Sequence, residues 1–172
     1  GVRPVLIGAG RNSGYLASSL GYPEIARKLA QANLDDLKAA GAKRLFVLTP
    51  GDFYTFGQLY DERLGVEWPG DVELLEVVPF LADQLESGGV KLTRSSDNTP
   101  YAYVDPTHSA RVKTRYDAPR RLLSALMPIR GLELLWRRER AHPCGDTALQ
   151  FTQPHISEKL TRARLEDAQS VG

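Results

Sequence analysis

Short apolar runs that alternate with amphipathic stretches at helical spacing constrain this chain most. Pro4-Val5-Leu6-Ile7 leads into Gly8-Ala9-Gly10-Arg11-Asn12-Ser13-Gly14, the pattern of a buried strand followed by a glycine-rich turn. Pro23 then opens a helix whose Ile25, Ala26, Leu29, Ala30, Leu34 and Leu37 share a face, and which ends near Gly41. Residues 44–48 read as a second buried strand, and Phe53, Phe56 and Leu59 place a helix over about 52–64. A strand over 72–78, a helix over 79–85 and a strand over 90–93 continue the alternation. The loop Ser95-Ser96-Asp97-Asn98 is the best boundary between two halves, 1–94 and 99–172. After it come a strand over 101–104, a helix opened by Pro119 with Leu122, Leu123 and Leu126, a strand over 132–135, a polar loop to Gly145, and a last helix over about 154–168. This order predicts an α/β fold with parallel sheets, right-handed crossovers and flanking helices.

Composition narrows the function classes. With 172 residues and 42% hydrophobic content the chain can bury a core. Lysine and arginine number 22 against 21 acidic residues, so no net field draws nucleic acid or an anionic membrane. No apolar run approaches the ~20 residues of a membrane span, and the N-terminus lacks a signal-peptide layout, so a cytoplasmic protein is expected. The single cysteine, Cys144, excludes an internal disulfide framework and, by itself, a four-cysteine metal site.

The glycine-rich turn supports two readings. A strand, then Gly8-x-Gly10-x-x-x-Gly14, then a helix is close to the fingerprint in which glycines let the backbone approach a pyrophosphate, as in a nucleotide-binding Rossmann-like domain. The spacing is loose, however, and the second strand ends in Leu48-Thr49 with no acidic residue placed for a ribose; Asp52 lies beyond a Pro-Gly turn. A tight structural corner is the plainer reading.

The most specific stretch runs from Tyr101 to Arg121: a strand, then Asp105-Pro106-Thr107-His108, then Arg111, then the helix opener Pro119-Arg120. It resembles the cysteine-rich CCG domains of heterodisulfide reductases and of glycolate oxidase iron-sulfur subunits, where a strand enters Asp-Pro-Cys-His and a Pro-Arg helix follows. Here Thr107 replaces the cysteine. Thr49-Pro50-Gly51-Asp52, followed by Phe53-Tyr54-Thr55-Phe56, looks like the Cys-Pro-Gly-Cys-Tyr-x-x-Phe segment that closes the first of two CCG copies, with both cysteines replaced. Gly8-Ala9-Gly10 then stands where the first Cys-Cys-Gly would be, and Pro143-Cys144-Gly145 looks like the second with its first cysteine lost.

The resemblance implies two related Rossmann-like halves, both incomplete relative to the family. The first copy's lone cysteine is expected before Gly1 and the second copy's Cys-x-x-Cys beyond Gly172. In intact relatives it implies an iron-sulfur cluster and electron transfer or disulfide chemistry in a multisubunit oxidoreductase. In this chain the framing residues are kept and the ligands are not: Thr49, Asp52, Thr107, Pro143 and Cys144 are vestigial ligand positions, and only Cys144 carries a thiol. The expectation is therefore a non-catalytic module without a cofactor, a structural or partner-binding subunit or domain of an oxidoreductase complex. The alternatives are a redox or metal-dependent subunit whose site is completed by residues outside this chain, and the nucleotide-binding domain.

Other chemistry is thin. His108, His142 and Cys144 are the donors for a mononuclear zinc site, but His108 serves equally to hold the turn, and a buried cysteine is a small hydrophobe. With His155 these groups also offer a thiol-imidazole pair, with Asp105 to orient the base. Arg137-Arg138-Glu139-Arg140 and Arg162 to Arg164 read as solvated surfaces. The tyrosines at 101, 103 and 116 and the Phe53-Tyr54-Phe56 group read as core or rim aromatics and not as a base-stacking platform.

Overall fold

The computed structural model describes residues 4–112 and 115–172, with only the backbone of 111–112. Of the Tyr101–Arg121 stretch, Lys113, Thr114 and the Arg111 side chain thus lie outside the described residues. The fold is mixed α/β, and the chain divides into two compact units, Gly1–Glu76 and Val77–Gly172.

In the first unit, α1 (Tyr15–Ser19) and α2 (Pro23–Ala39) precede β1 (Arg44–Val47). Then come α3 (Pro50–Tyr54), a π-helical turn (Thr55–Leu59), α4 (Tyr60–Leu64) and β2 (Glu73–Glu76). Pro23 occupies the first turn of α2, where its missing N–H costs nothing, and the helix ends with Ala40 as its C-cap, followed by Gly41, which takes a left-handed φ of 59°. Strands β1 and β2 pair in parallel, Arg44 opposite Glu73 and Val47 opposite Glu76, and the Arg44 and Glu73 side chains meet at 3.1 Å. The helical crossover between them is the one the sequence predicts. Ala26 and Ala30 of α2 bring that helix against Tyr60, Leu64 and Val66, and all five are buried. Their small size is what lets the two helices approach.

The expected strand at residues 4–7 does not form. Val5 is 70% exposed and Leu6 86%, although Ile7 and Gly8 face the same cavity as Leu45 to Leu48 of the β1 segment. An apolar run becomes a strand only where its backbone finds a ladder, and this one lies beside β1 without one.

The second unit opens directly after β2 with α5 (Val77–Glu86), so the expected strand over 72–78 ends at Glu76. Pro79 falls in the first turn of α5 and leaves Val77 and Val78 free to be helical. A π-helical turn (His108–Val112) is followed by α6 (Asp117–Leu126), a 3₁₀ turn (Arg138–Arg140), α7 (Ala148–Thr152) and α8 (Pro154–Gln169). Arg121 of α6 ties that helix to α5, at 2.6 Å from Glu86 and 3.2 Å from Asp83. Residues 90–93 form no strand. The strands expected at 101–104 and 132–135 shrink to a single parallel bridge between Ala102 and Leu132, with Leu132 N–H donating to Tyr101 O at 2.8 Å.

The Arg162 to Arg164 expectation needs correcting at one position. Arg162 is exposed and pairs with Glu158, but Arg164 is only 4% exposed and donates to Trp136 O at 2.6 Å. Beside it, the Asp167 carboxylate accepts the backbone N–H groups of Leu135 and Trp136 at 3.1 Å each. No helix among the described residues is long and apolar enough to cross a membrane.

Candidate functional site

The glycine-rich turn is bolted to the first unit's core by buried hydrogen bonds. Arg11 N–H closes the turn onto Gly8 O at 2.9 Å, and the Asn12 side chain accepts Gly14 N–H at 2.8 Å. Asn33 of α2 donates to Asn12 O at 3.0 Å and to the Tyr60 hydroxyl at 3.1 Å, and that hydroxyl donates to Ser13 O at 2.8 Å. Burial pushes the Tyr60 hydroxyl up to about 12, with the Asn33 hydrogen bond opposing it. Arg11 pairs with Asp36 and donates to Ala32 O. Gly14, at φ 93°, is where α2 comes closest: a Cβ there would sit 3.1 Å from Ala26 O. The Asn33, Arg11 and Gly14 contacts therefore fix the turn against α2, and the helix that follows the turn, α1, has five residues.

Between this turn and the β1 segment lies a cavity of about 320 Å3. It brings Gly8 together with Thr49 and Asp52, three positions that the sequence resemblance places in one group. Thr49 caps α3: its hydroxyl oxygen accepts Asp52 N–H at 3.0 Å, and its O–H donates to the Asp52 carboxylate at 2.8 Å. Ala9 is exposed. Sequence reasoning missed the aromatic part of this lining, where Phe56 and Trp68 meet edge to face with ring centroids 5.8 Å apart. Phe56 was legible as a helix-face apolar residue; nothing in the pattern marked Trp68.

The second group is organised by Asp105 and Arg120. Asp105 is 2% exposed and takes both end nitrogens of Arg120, each at 2.8 Å. Arg120 turns its other edge to Glu133 at 2.6 and 2.9 Å and also donates to Tyr116 O at 2.6 Å, so all five guanidinium N–H groups are used. Arg138, at a left-handed φ of 53°, aims its N–H at Asp105 at 2.8 Å. Burial alone would raise the Asp105 carboxyl, but the Arg120 hydrogen bonds, the Arg138 N–H and the Arg120 charge together hold it below its usual range. Arg120 likewise holds Glu133 low through its hydrogen bonds, and the two carboxylates push the guanidinium up. The framing residues of the Tyr101–Arg121 stretch are thus a buried bidentate pair.

Beyond Asp105, Thr107 and His108 are half-buried, and His108 lies within electrostatic reach of Asp146, which places the turn near the 143–146 loop. Pro143 is half-buried, and Cys144 is exposed, contrary to the buried small hydrophobe expected. Its backbone carbonyl accepts the Thr161 hydroxyl at 2.7 Å. His142 stacks on Trp136 with centroids 4.1 Å apart, and His155 is exposed on α8. Among the described residues no three His, Cys, Asp or Glu side chains converge in a way that would hold a metal ion.

Burial pulls the His108 imidazole below its usual value, against the opposing charge of Asp146. A histidine lowered on folding favours the neutral form, so its contribution to stability is present above about pH 6.5 and is lost as pH falls through the lower folded value. Unfolding free energy measured between pH 8 and pH 5 is expected to drop more steeply in the parent than in His108→Gln; equal slopes would refute the assignment.

No family model matches the chain, and no solved structure does. Over 146 residues, 84% of the chain, it is 30% identical to one subunit of the dihydromethanophenazine:CoB–CoM heterodisulfide reductase of Methanosarcina mazei, of which this covers 35%. The corresponding protein of Methanosarcina barkeri is 27% identical over the same shares. The probable iron-sulfur-binding oxidoreductase FadF of Bacillus subtilis is 24% identical over 162 residues, 94% of the chain and 22% of that protein. The chain spans about a third of the length of the heterodisulfide reductase subunits it matches, and it is related in sequence to proteins named as heterodisulfide reductase subunits and as an iron-sulfur-binding oxidoreductase.

Proposed function

We propose that this chain is a cluster-free, CCG-like module that serves as a structural or partner-binding part of an iron-sulfur oxidoreductase complex of the heterodisulfide reductase or 2-hydroxy-acid oxidase type. In this reading residues 1–94 and 99–172 are two related Rossmann-like halves, each incomplete, and Thr49, Asp52, Thr107, Pro143 and Cys144 are former ligand positions. The observation that carries it is the use made of Thr49 and Asp52. Where the resemblance calls for two thiolates, these side chains bond to each other and cap a helix, so the position has a folding role that needs no metal. The name of one relative, a probable iron-sulfur-binding oxidoreductase, supports an origin among iron-sulfur proteins. Partner binding is supported by the names of the relatives, which describe subunits of a heterodisulfide reductase.

The nucleotide-binding reading draws no support from the glycine turn, because a pyrophosphate needs a sustained helix N-terminus behind it and α1 has only five residues. Anaerobic reconstitution with iron and sulfide separates the remaining two readings. The chain is expected to return no stoichiometric iron and no thiolate-to-iron charge-transfer band, since one thiolate cannot replace four. Stoichiometric iron, on this chain alone or only with its partner present, would instead establish a working site, completed in the second case from outside the chain.

A further inference from the structure

We infer that the cavity of the first unit is a binding site for a small organic ammonium ion with an aromatic or branched apolar body. The inference rests on the cavity's own chemistry and stands apart from the cluster-free reading. Three features select the ligand. First, the polar groups on the turn side are already engaged: Asn33 donates to Asn12 O and to Tyr60, and the Arg11 charge is matched by Asp36. Second, Asp52 carries a charge with no cation partner among the described residues. One carboxylate oxygen accepts from Thr49, while the other is left to accept from something else. Third, the lining includes two aromatic rings, and Phe56 follows Asp52 by one helical turn. Trp68 donates its indole N–H to Val72 O at 2.8 Å, which leaves its ring, with that of Phe56, as an apolar lining that no cation of the described chain covers.

A half-buried carboxylate lining the same cavity as aromatic rings is a combination that recognises organic cations: the carboxylate accepts the N–H bonds, and the rings attract the charge through their faces. Leu34, Leu37 and Val47 add aliphatic surface for the ligand's body, and a volume of about 320 Å3 limits it to a compact molecule. An anionic ligand would meet the Asp52 carboxylate in the same space, while the Arg11 charge in the lining is already matched by Asp36, so an anion is disfavoured. A neutral apolar molecule would fit but would leave the carboxylate without a partner.

The probe is 2-phenylethylammonium, titrated into the full chain and followed by the Trp68 indole and backbone amide resonances, with 2-phenylethanol and 3-phenylpropanoate as neutral and anionic counterparts. The expected result is saturable binding with shifts centred on Trp68, Phe56 and the 49–52 turn, and about a tenfold preference for the ammonium over the alcohol. Asp52→Asn keeps the acceptor that Thr49 uses, so α3 stays capped, and it is expected to abolish that preference while apolar binding persists. Phe56→Leu is expected to weaken the ammonium more than the alcohol. Equal affinity for ammonium and alcohol, a preference that survives Asp52→Asn, or no saturation by about 10 mM would each overturn the assignment. The comparison between ligands uses the unmodified chain and so does not depend on any variant folding.

Discussion

Replacing Arg120 with methionine is expected to cost the second unit about 3–5 kcal/mol. The side chain is 14% exposed and serves Asp105, Glu133 and Tyr116 O at once. Among the described residues, its removal leaves Asp105, fully enclosed, with the Arg138 N–H and the more distant Arg164 charge to oppose its burial. The pair need not have been worth that much relative to an apolar alternative. The cost arises because one partner is left charged in a place that excludes water. Arg120→Lys retains the charge but offers a point donor in place of a planar fork, and it cannot reach two carboxylates and a carbonyl together, so a loss of more than about 1 kcal/mol is expected there as well.

The sign of the pH dependence distinguishes this account from a mere packing defect. Asp105 and Glu133 are both held below their ordinary values of 3.8 and 4.5 in the fold. Their contribution is therefore fully present above that range and is lost as pH falls through the lower folded values. The deficit of Arg120→Met is accordingly expected to be largest near neutrality and to shrink as both carboxylates are protonated. Urea unfolding followed by Trp136 in a Trp68→Phe background reads the second unit. A deficit below about 1 kcal/mol, or one that is constant from pH 7 to pH 3, would contradict the assigned role of Arg120.

What the sequence made legible and what it hid follow from the range of the interactions concerned. The helix α2 was readable because Pro23, the spacing of Ala26, Ala30 and Leu37, and Gly41 are all local signals of one element. The apolar run at 4–7 and the alternating segment at 90–93 gave local strand signals and form no strand, because a strand is completed by a partner backbone that periodicity does not contain. Asp105 and Arg120 stood out as framing residues. Their role as a buried pair was not readable, since Glu133 and the Arg138 N–H, which complete it, come from 13 to 33 positions away. Arg164 was misread through its neighbours. Its run with Arg162 suggests a solvated face, yet Ser157, Arg164 and Asp167 recur at helical spacing and mark the buried side of α8. At the first site, Gly8, Thr49 and Asp52 were grouped by resemblance and do line one cavity, whereas Trp68 reaches it from an irregular segment.

Gly145→Ala is expected to destabilise the second unit by about 2–5 kcal/mol, and it tests why a glycine stands beside Cys144. Two costs act there. The residue holds φ at 84°, a left-handed conformation that costs a side-chain-bearing residue roughly 1–2 kcal/mol. A Cβ would also sit 2.5 Å from Ser157 O and 2.9 Å from Ser157 Cα, and these are backbone atoms of α8 that cannot rotate away. The helix has to shift, and overpacking of this kind typically costs about 1–3 kcal/mol more. The same shift strains the hydrogen bond that the Ser157 hydroxyl donates to Gly145 O. Gly88 supplies the control within the same unit: its φ is 76°, but a Cβ there meets nothing within 4 Å, so Gly88→Ala carries the conformational cost alone. The excess of the first loss over the second, read from unfolding of the two variants, measures how tightly the Cys144 loop is pressed onto α8. Equal losses would mean that the glycine is required only for its backbone conformation, and that this loop does not depend on close approach to the helix.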